Sequence, residues 1–127
     1  MPTLFITIAV GILLIVLGIS NIKGNINSIH SYHRHRVSKE DKPVFGKLMG
    51  TGTIICGIGI LAFALLFAIG YLSNQTIFTT IGSYLTVIGL IIGIGIMTYA
   101  TMKYNKGIFW NIKKNLLETN IWNIYLF

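Results

Sequence analysis

Long apolar runs alternate with short polar ones along this chain. Residues 3–22, 48–72 and 77–102 contain no Asp, Glu, Lys, Arg or His. A helix needs about 20 apolar residues to cross the hydrocarbon core of a bilayer, and each run reaches that length. Inside lipid every backbone N–H and C=O must be bonded within the protein, which leaves helices or closed barrels, and these runs are too long and continuous for barrel strands. The pattern therefore predicts an all-α membrane protein with three transmembrane helices. The link Ser73-Asn74-Gln75-Thr76 is short enough to make the second and third spans an antiparallel hairpin.

Charge then orients the spans. The chain has 127 residues, of which 10% are charged, and its net charge is +7. Soluble domains carry roughly a quarter charged residues, so a water-wetted globular surface is excluded. All ten Lys and Arg lie in 23–47 and 103–114, six in the first segment and four in the second. The N-terminus and the 73–76 turn carry none. Positive segments stay in the cytoplasm. The N-terminus and the turn are thus expected outside, and the long loop and C-terminus inside, in a multi-pass plasma-membrane protein. The basic residues are better matched to anionic lipid headgroups than to nucleic acid. Met1-Pro2-Thr3-Leu4 lacks the basic start of a secretory signal and no A-x-A-like site follows, so the first span is read as retained.

Eleven of the fourteen glycines fall inside the spans. Gly11 and Gly18, Gly50 and Gly57, Gly52 and Gly59, and Gly82 and Gly89 are each seven apart, nearly two helical turns, so each pair marks one face. Gly89-x-x-x-Gly93 adds a small-x-x-x-small step. Lipid competes for large apolar side chains, so membrane helices associate where small residues let backbones approach. Gly50, Gly57, Gly89 and Gly93 are the predicted packing positions, for the chain's own helices or for a second copy or another membrane protein. Hydroxyls in the spans are expected to bond back to their own helix or across to a neighbour. Cys56 is alone in the chain and carries no redox information.

The first loop holds the unusual chemistry. His30, Tyr32, His33, Arg34, His35 and Arg36 fall within seven residues. With Lys23 and Asn25 they form a candidate surface for anionic lipid or a partner. His30, His33 and His35 are also metal candidates, although zinc takes three or four protein ligands and no cysteine is near. Ser38 and the acids Glu40 and Asp41 are expected to start a helix, with Pro43 in its first turn. That helix should run into the second span without a break.

The sequence Asn21-Ile22-Lys23-Gly24-Asn25, then Ser28-Ile29-His30-x-Tyr32-His33-x-x-Arg36-Val37, Phe45-Gly46-Lys47-x-x-Gly50 and Tyr104-Asn105-Lys106-Gly107 resembles a family of small bacterial integral membrane proteins catalogued only as a domain of unknown function. The resemblance covers roughly residues 4 to 109. It implies three membrane helices and a bacterial source, and no assigned reaction. Residues 1–109 accordingly read as the transmembrane domain. Residues 110–127 read as an extension, either a short interfacial helix marked by Trp110, Trp122 and Tyr125 or a disordered end.

The spacing of nucleophiles, bases, carboxylates and glycines matches no catalytic or phosphate-binding motif, so neither an enzyme nor a cofactor is expected. The expected role is accessory or regulatory, acting through helix packing with a membrane partner, and self-protection against a membrane-active toxin would suit such a design. A holin-like permeabilising protein and a transporter subunit are the alternatives.

Overall fold

The computed structural model describes residues 1–27, 37–105 and 115–120. Its architecture is that of an all-α, three-helix membrane protein. Helix α1 spans Pro2–Ile22, α2 spans Lys42–Ser73 and α3 spans Thr76–Tyr104. All three are long and apolar enough to cross a bilayer. The 32 residues of α2 extend about 48 Å at about 1.5 Å each, well beyond a hydrocarbon core of about 30 Å. The surplus lies mostly at its start, where Lys42 to Lys47 precede the uncharged run and continue it without a break, as expected.

Local chemistry sets the helix ends. Pro43 sits in the first turn of α2, where a missing N–H costs nothing. Ser38 does not cap this helix. Asp41 is the N-cap, and it makes no side-chain capping bond. Ser38 instead closes the turn before it: its Oγ donates to Asp41 Oδ2 at 2.8 Å, and its carbonyl accepts from the N–H groups of Asp41 and Lys42, both at 3.1 Å. A small hydroxyl residue favours such local bonds wherever the chain offers them, and here the turn offers more than the helix start four residues on. At the other end Asn74 takes the left-handed conformation (φ 55°), and the Gln75 N–H bonds the Gly70 carbonyl at 3.0 Å. That αL stop ends α2 and lets α3 begin at once.

Burial runs opposite to that of a soluble protein. Phe5, Ile6, Leu65, Ile91 and Leu72 are more than 60% exposed, whereas Gly11, Gly18, Gly50, Gly52, Gly57, Gly59, Gly82 and Gly93 are buried. A surface of that kind in water would aggregate. In lipid it needs no cover, and the small residues mark where the helices touch.

Helix α2 is the centre. It packs on α1 along one side and on α3 along the other, and α1 and α3 share no comparable interface. Both contacts are antiparallel and in register with the seven-residue glycine steps. Gly18 faces Gly50 and Gly11 faces Gly57: a Cβ on Gly18 would lie 2.7 Å from the Gly50 carbonyl oxygen, and one on Gly57 would lie 2.9 Å from that of Gly11. Gly52 faces Gly93 at 2.6 Å by the same measure, and Gly59 lies against Gly89. The predicted packing positions Gly50, Gly57, Gly89 and Gly93 thus all lie in seams within the chain. Gly95 has nothing within 4 Å and is left on the outer side of α3.

The hydroxyls behave as expected. Thr51, Thr53 and Ser83 donate to the carbonyl four residues earlier at 2.7, 2.7 and 3.0 Å. Thr86 is shared between Gly82 of its own helix at 2.9 Å and Gly59 of α2 at 3.0 Å. Within the extension, residues 115–120 are helical and exposed.

Candidate binding site at the basic end

The most fully enclosed side chains do not lie at the middle of the bundle. They gather at its basic end. Three short structures build this region.

The first is the end of α1. Gly24 has φ +97°, its N–H bonds the Asn21 carbonyl, and the Asn25 N–H reaches back five residues to the Ser20 carbonyl at 3.1 Å. Paired bonds of this form are a Schellman stop, and its left-handed residue favours glycine. The stop turns the chain back so that Ile26 tucks under the helix, 9% exposed. The second is the turn at 38–41, which delivers Val37 (4% exposed) to the same place. The third is the extra length of α2, which carries Phe45 there with no exposed surface. Ala100 of α3 completes the cluster, and Leu48, Met49 and Tyr104 pack around it.

Polar groups are enclosed with them. Asn21 and Asn105 are buried, Asn105 completely, and both are hydrogen-bonded. The Asn105 N–H closes α3 on the Thr101 carbonyl at 2.9 Å. Gly46 lies so close to Asn21 that a Cβ would come within 2.7 Å of its carbonyl oxygen. An apolar cluster with hydrogen-bonded backbone groups of buried residues at its edge is costly to disturb, because any buried group that loses its partner bears its desolvation penalty.

Lysines form the rim. Lys23, Lys39 and Lys42 border one cleft of about 440 Å³, with Ile22, Ile26 and Pro43 as its apolar wall and Gly24 at its edge. On α3, Lys103 Nζ donates to the Tyr99 hydroxyl at 3.1 Å and lies 5.5 and 5.4 Å from the Tyr99 and Tyr104 ring centres. A lysine held between two tyrosines is a typical boundary anchor, its stem along apolar surface and its charge toward water.

The candidates from the sequence divide here. Lys23 borders the cleft and Asn25 forms the α1 stop. His30, Tyr32, His33, Arg34, His35 and Arg36 lie outside the described residues. Among the described residues no three His, Cys, Asp or Glu side chains come together as a metal site. Asn21, Gly24, Val37, Phe45, Gly46, Tyr104 and Asn105, all within the stretches that the sequence pattern singled out, converge on this one end. Sequence reasoning did not place Lys39 and Lys42 beside Lys23. The available signal was the surplus length before the second span, which has to fold back along the end of the first.

Comparison with protein-family models, with curated proteins and with solved structures gives no match.

Proposed function

We propose that this is a small accessory or regulatory protein of a bacterial plasma membrane, which works by binding another membrane component at its basic end. The carrying observation is the enclosure of Ile26, Val37 and Phe45 at that end. Three helices in lipid need only their small-residue seams to associate. The apolar cluster lies at the end of those seams and ties the start of α2 to the end of α3, and its fixed shape makes a preorganised platform for recognition. The glycine seams support the same placement: α2 uses them on α1 and α3, so a partner meets the basic end or the lipid-facing sides of α1 and α3. The charge pattern supports an inside location for this end, with the N-terminus and the hairpin turn outside.

The hydroxyls of Thr51, Thr53 and Ser83 are bonded back to their own helices, which favours a binding role over permeabilisation. Photo-crosslinking residues placed at Asn27 and at Asn74 test the reading in native membranes. One recurrent membrane component captured from Asn27 and not from Asn74 is expected. Capture of nothing from Asn27, together with dye entry into cells on induction, would replace this reading with the holin-like one.

A further inference from the structure

We propose that the cleft between the end of α1 and the start of α2 binds the phosphate of an anionic phospholipid, with Lys23, Lys39 and Lys42 as its cations. The proposal shares with the functional reading only the choice of the basic end, and a lipid site there stands whether or not a protein partner exists.

Three observations carry it. The first is uncompensated charge. Among the described residues none of the three lysines is paired with a carboxylate. The two nearest acids do not border the cleft: Asp41 accepts a hydrogen bond from Ser38 and Glu40 points to solvent. Three unpaired ammonium groups around one concavity repel one another, and an anion relieves that repulsion.

The second is depth. Lys23 directly follows the last residue of α1, and Lys42 is the first residue of α2. Lys23 lies where the first uncharged span ends, and Lys42 lies six residues before the second one begins, about 9 Å along the helix, so the cleft between them spans the headgroup level of the bilayer.

The third is its mixed wall. Ile22, Ile26 and Pro43 line the same cleft as the lysines and give it apolar surface. Inorganic phosphate has nothing to place against that surface. A phospholipid does, because its glycerol and first acyl carbons lie beside its phosphate. The volume of about 440 Å³ lies within the roughly 300–1,000 Å³ range of ligand-sized clefts. Basic pockets between membrane helices are a recognised way of holding such headgroups.

The test uses the full chain in a neutral detergent, titrated by calorimetry with short-chain phosphatidylglycerol, the matching phosphatidylcholine and inorganic phosphate. Saturable binding of phosphatidylglycerol to one site is expected, with no matching signal from phosphatidylcholine. Replacing the three lysines together by Gln should weaken it roughly a hundredfold, since each basic group near a membrane surface contributes about a fivefold step. Replacing all three by Arg should preserve binding, as should Lys103→Gln, and both variants also report that the chain still folds. Equal binding by the triple Gln variant overturns the proposal, as does equal binding of the two lipids. Inorganic phosphate binding as tightly as phosphatidylglycerol would reassign the cleft to a soluble anion and overturn the lipid assignment. Failure to crosslink a partner at Asn27 leaves each of these results unchanged, so the two readings fail separately.

Discussion

The two ends of the bundle solve the same problem differently. At the hairpin end α2 and α3 are joined by two residues, and Tyr71 through Ile77 are all exposed. The turn needs only a left-handed Asn74 and one long backbone bond. At the basic end the chain spends a helix stop, a serine-closed turn and the surplus of α2 to enclose Phe45, Val37, Ile26 and Ala100. Joining helices does not require that. The contrast separates connection from construction: one end joins two helices by the shortest route, and the other encloses side chains that the joining does not need.

The sharpest way to break the comparison is to remove matched apolar side chains from the two ends. Phe45 has no exposed surface, while Leu72 is 84% exposed. Phe45→Ala should lower unfolding stability by about 3 kcal/mol, the lower end of the usual cost of truncating an enclosed aromatic. Leu72→Ala should stay within about 0.5 kcal/mol, as surface changes do. Denaturant or thermal unfolding in mixed micelles reads both. Similar losses at the two sites would mean that the basic end is no more built than the turn.

A second contrast lies along the glycines. A Cβ on Gly50 meets the Gly18 carbonyl oxygen and the Ile22 side chain, and the same atom on Gly95 meets nothing within 4 Å. Gly50→Val should push α1 away from α2 and cost about 1–3 kcal/mol through overpacking. A cysteine pair across the α1–α2 seam should then crosslink less. Gly95→Val should leave both stability and crosslinking unchanged. If Gly95→Val instead abolished capture of a partner while the fold persisted, the outer side of α3 would be a docking face and the basic end would lose its privileged position.

Much of this was legible beforehand, for a physical reason. A bilayer forces uncharged runs into helices and small residues into contact, so the three spans, the hairpin and the glycine seams follow from residue type and spacing alone. Helix bounds moved only where water takes over from lipid. The start of α2 lies at Lys42, six residues before its apolar run begins, and Ser38 proved to belong to a turn. Outside lipid no single force dominates, and short segments settle by local hydrogen bonds and side-chain fit that periodicity does not encode. The cleft depended on such details. Lys23 is sixteen residues from Lys39 in the chain, and only the Gly24 stop and the 38–41 turn bring them to one rim. The motif residues stood out as a pattern well before they could be read as a place.

The middle of the bundle refines the contrast by showing how little a single polar contact contributes there. Thr86 is shared between the carbonyls of Gly82 and Gly59, and among the described residues no other hydroxyl reaches a carbonyl of a neighbouring helix. Its one proton divides between two acceptors, and the unfolded helix in lipid keeps the Gly82 bond. The net value of the crossing bond should therefore be near the average for membrane helices, about 0.6 kcal/mol. Thr86→Val keeps the shape and removes the bond, so it should cost no more than that, a fifth or less of the Phe45→Ala loss, by the same unfolding measurement. A loss as large as that of Phe45→Ala would place the anchoring of α2 on α3 in a buried hydrogen bond and not in backbone contact along Gly52, Gly59, Gly89 and Gly93. The seam would then be polar in origin, and the glycines would serve to bring Thr86 within reach of its acceptor.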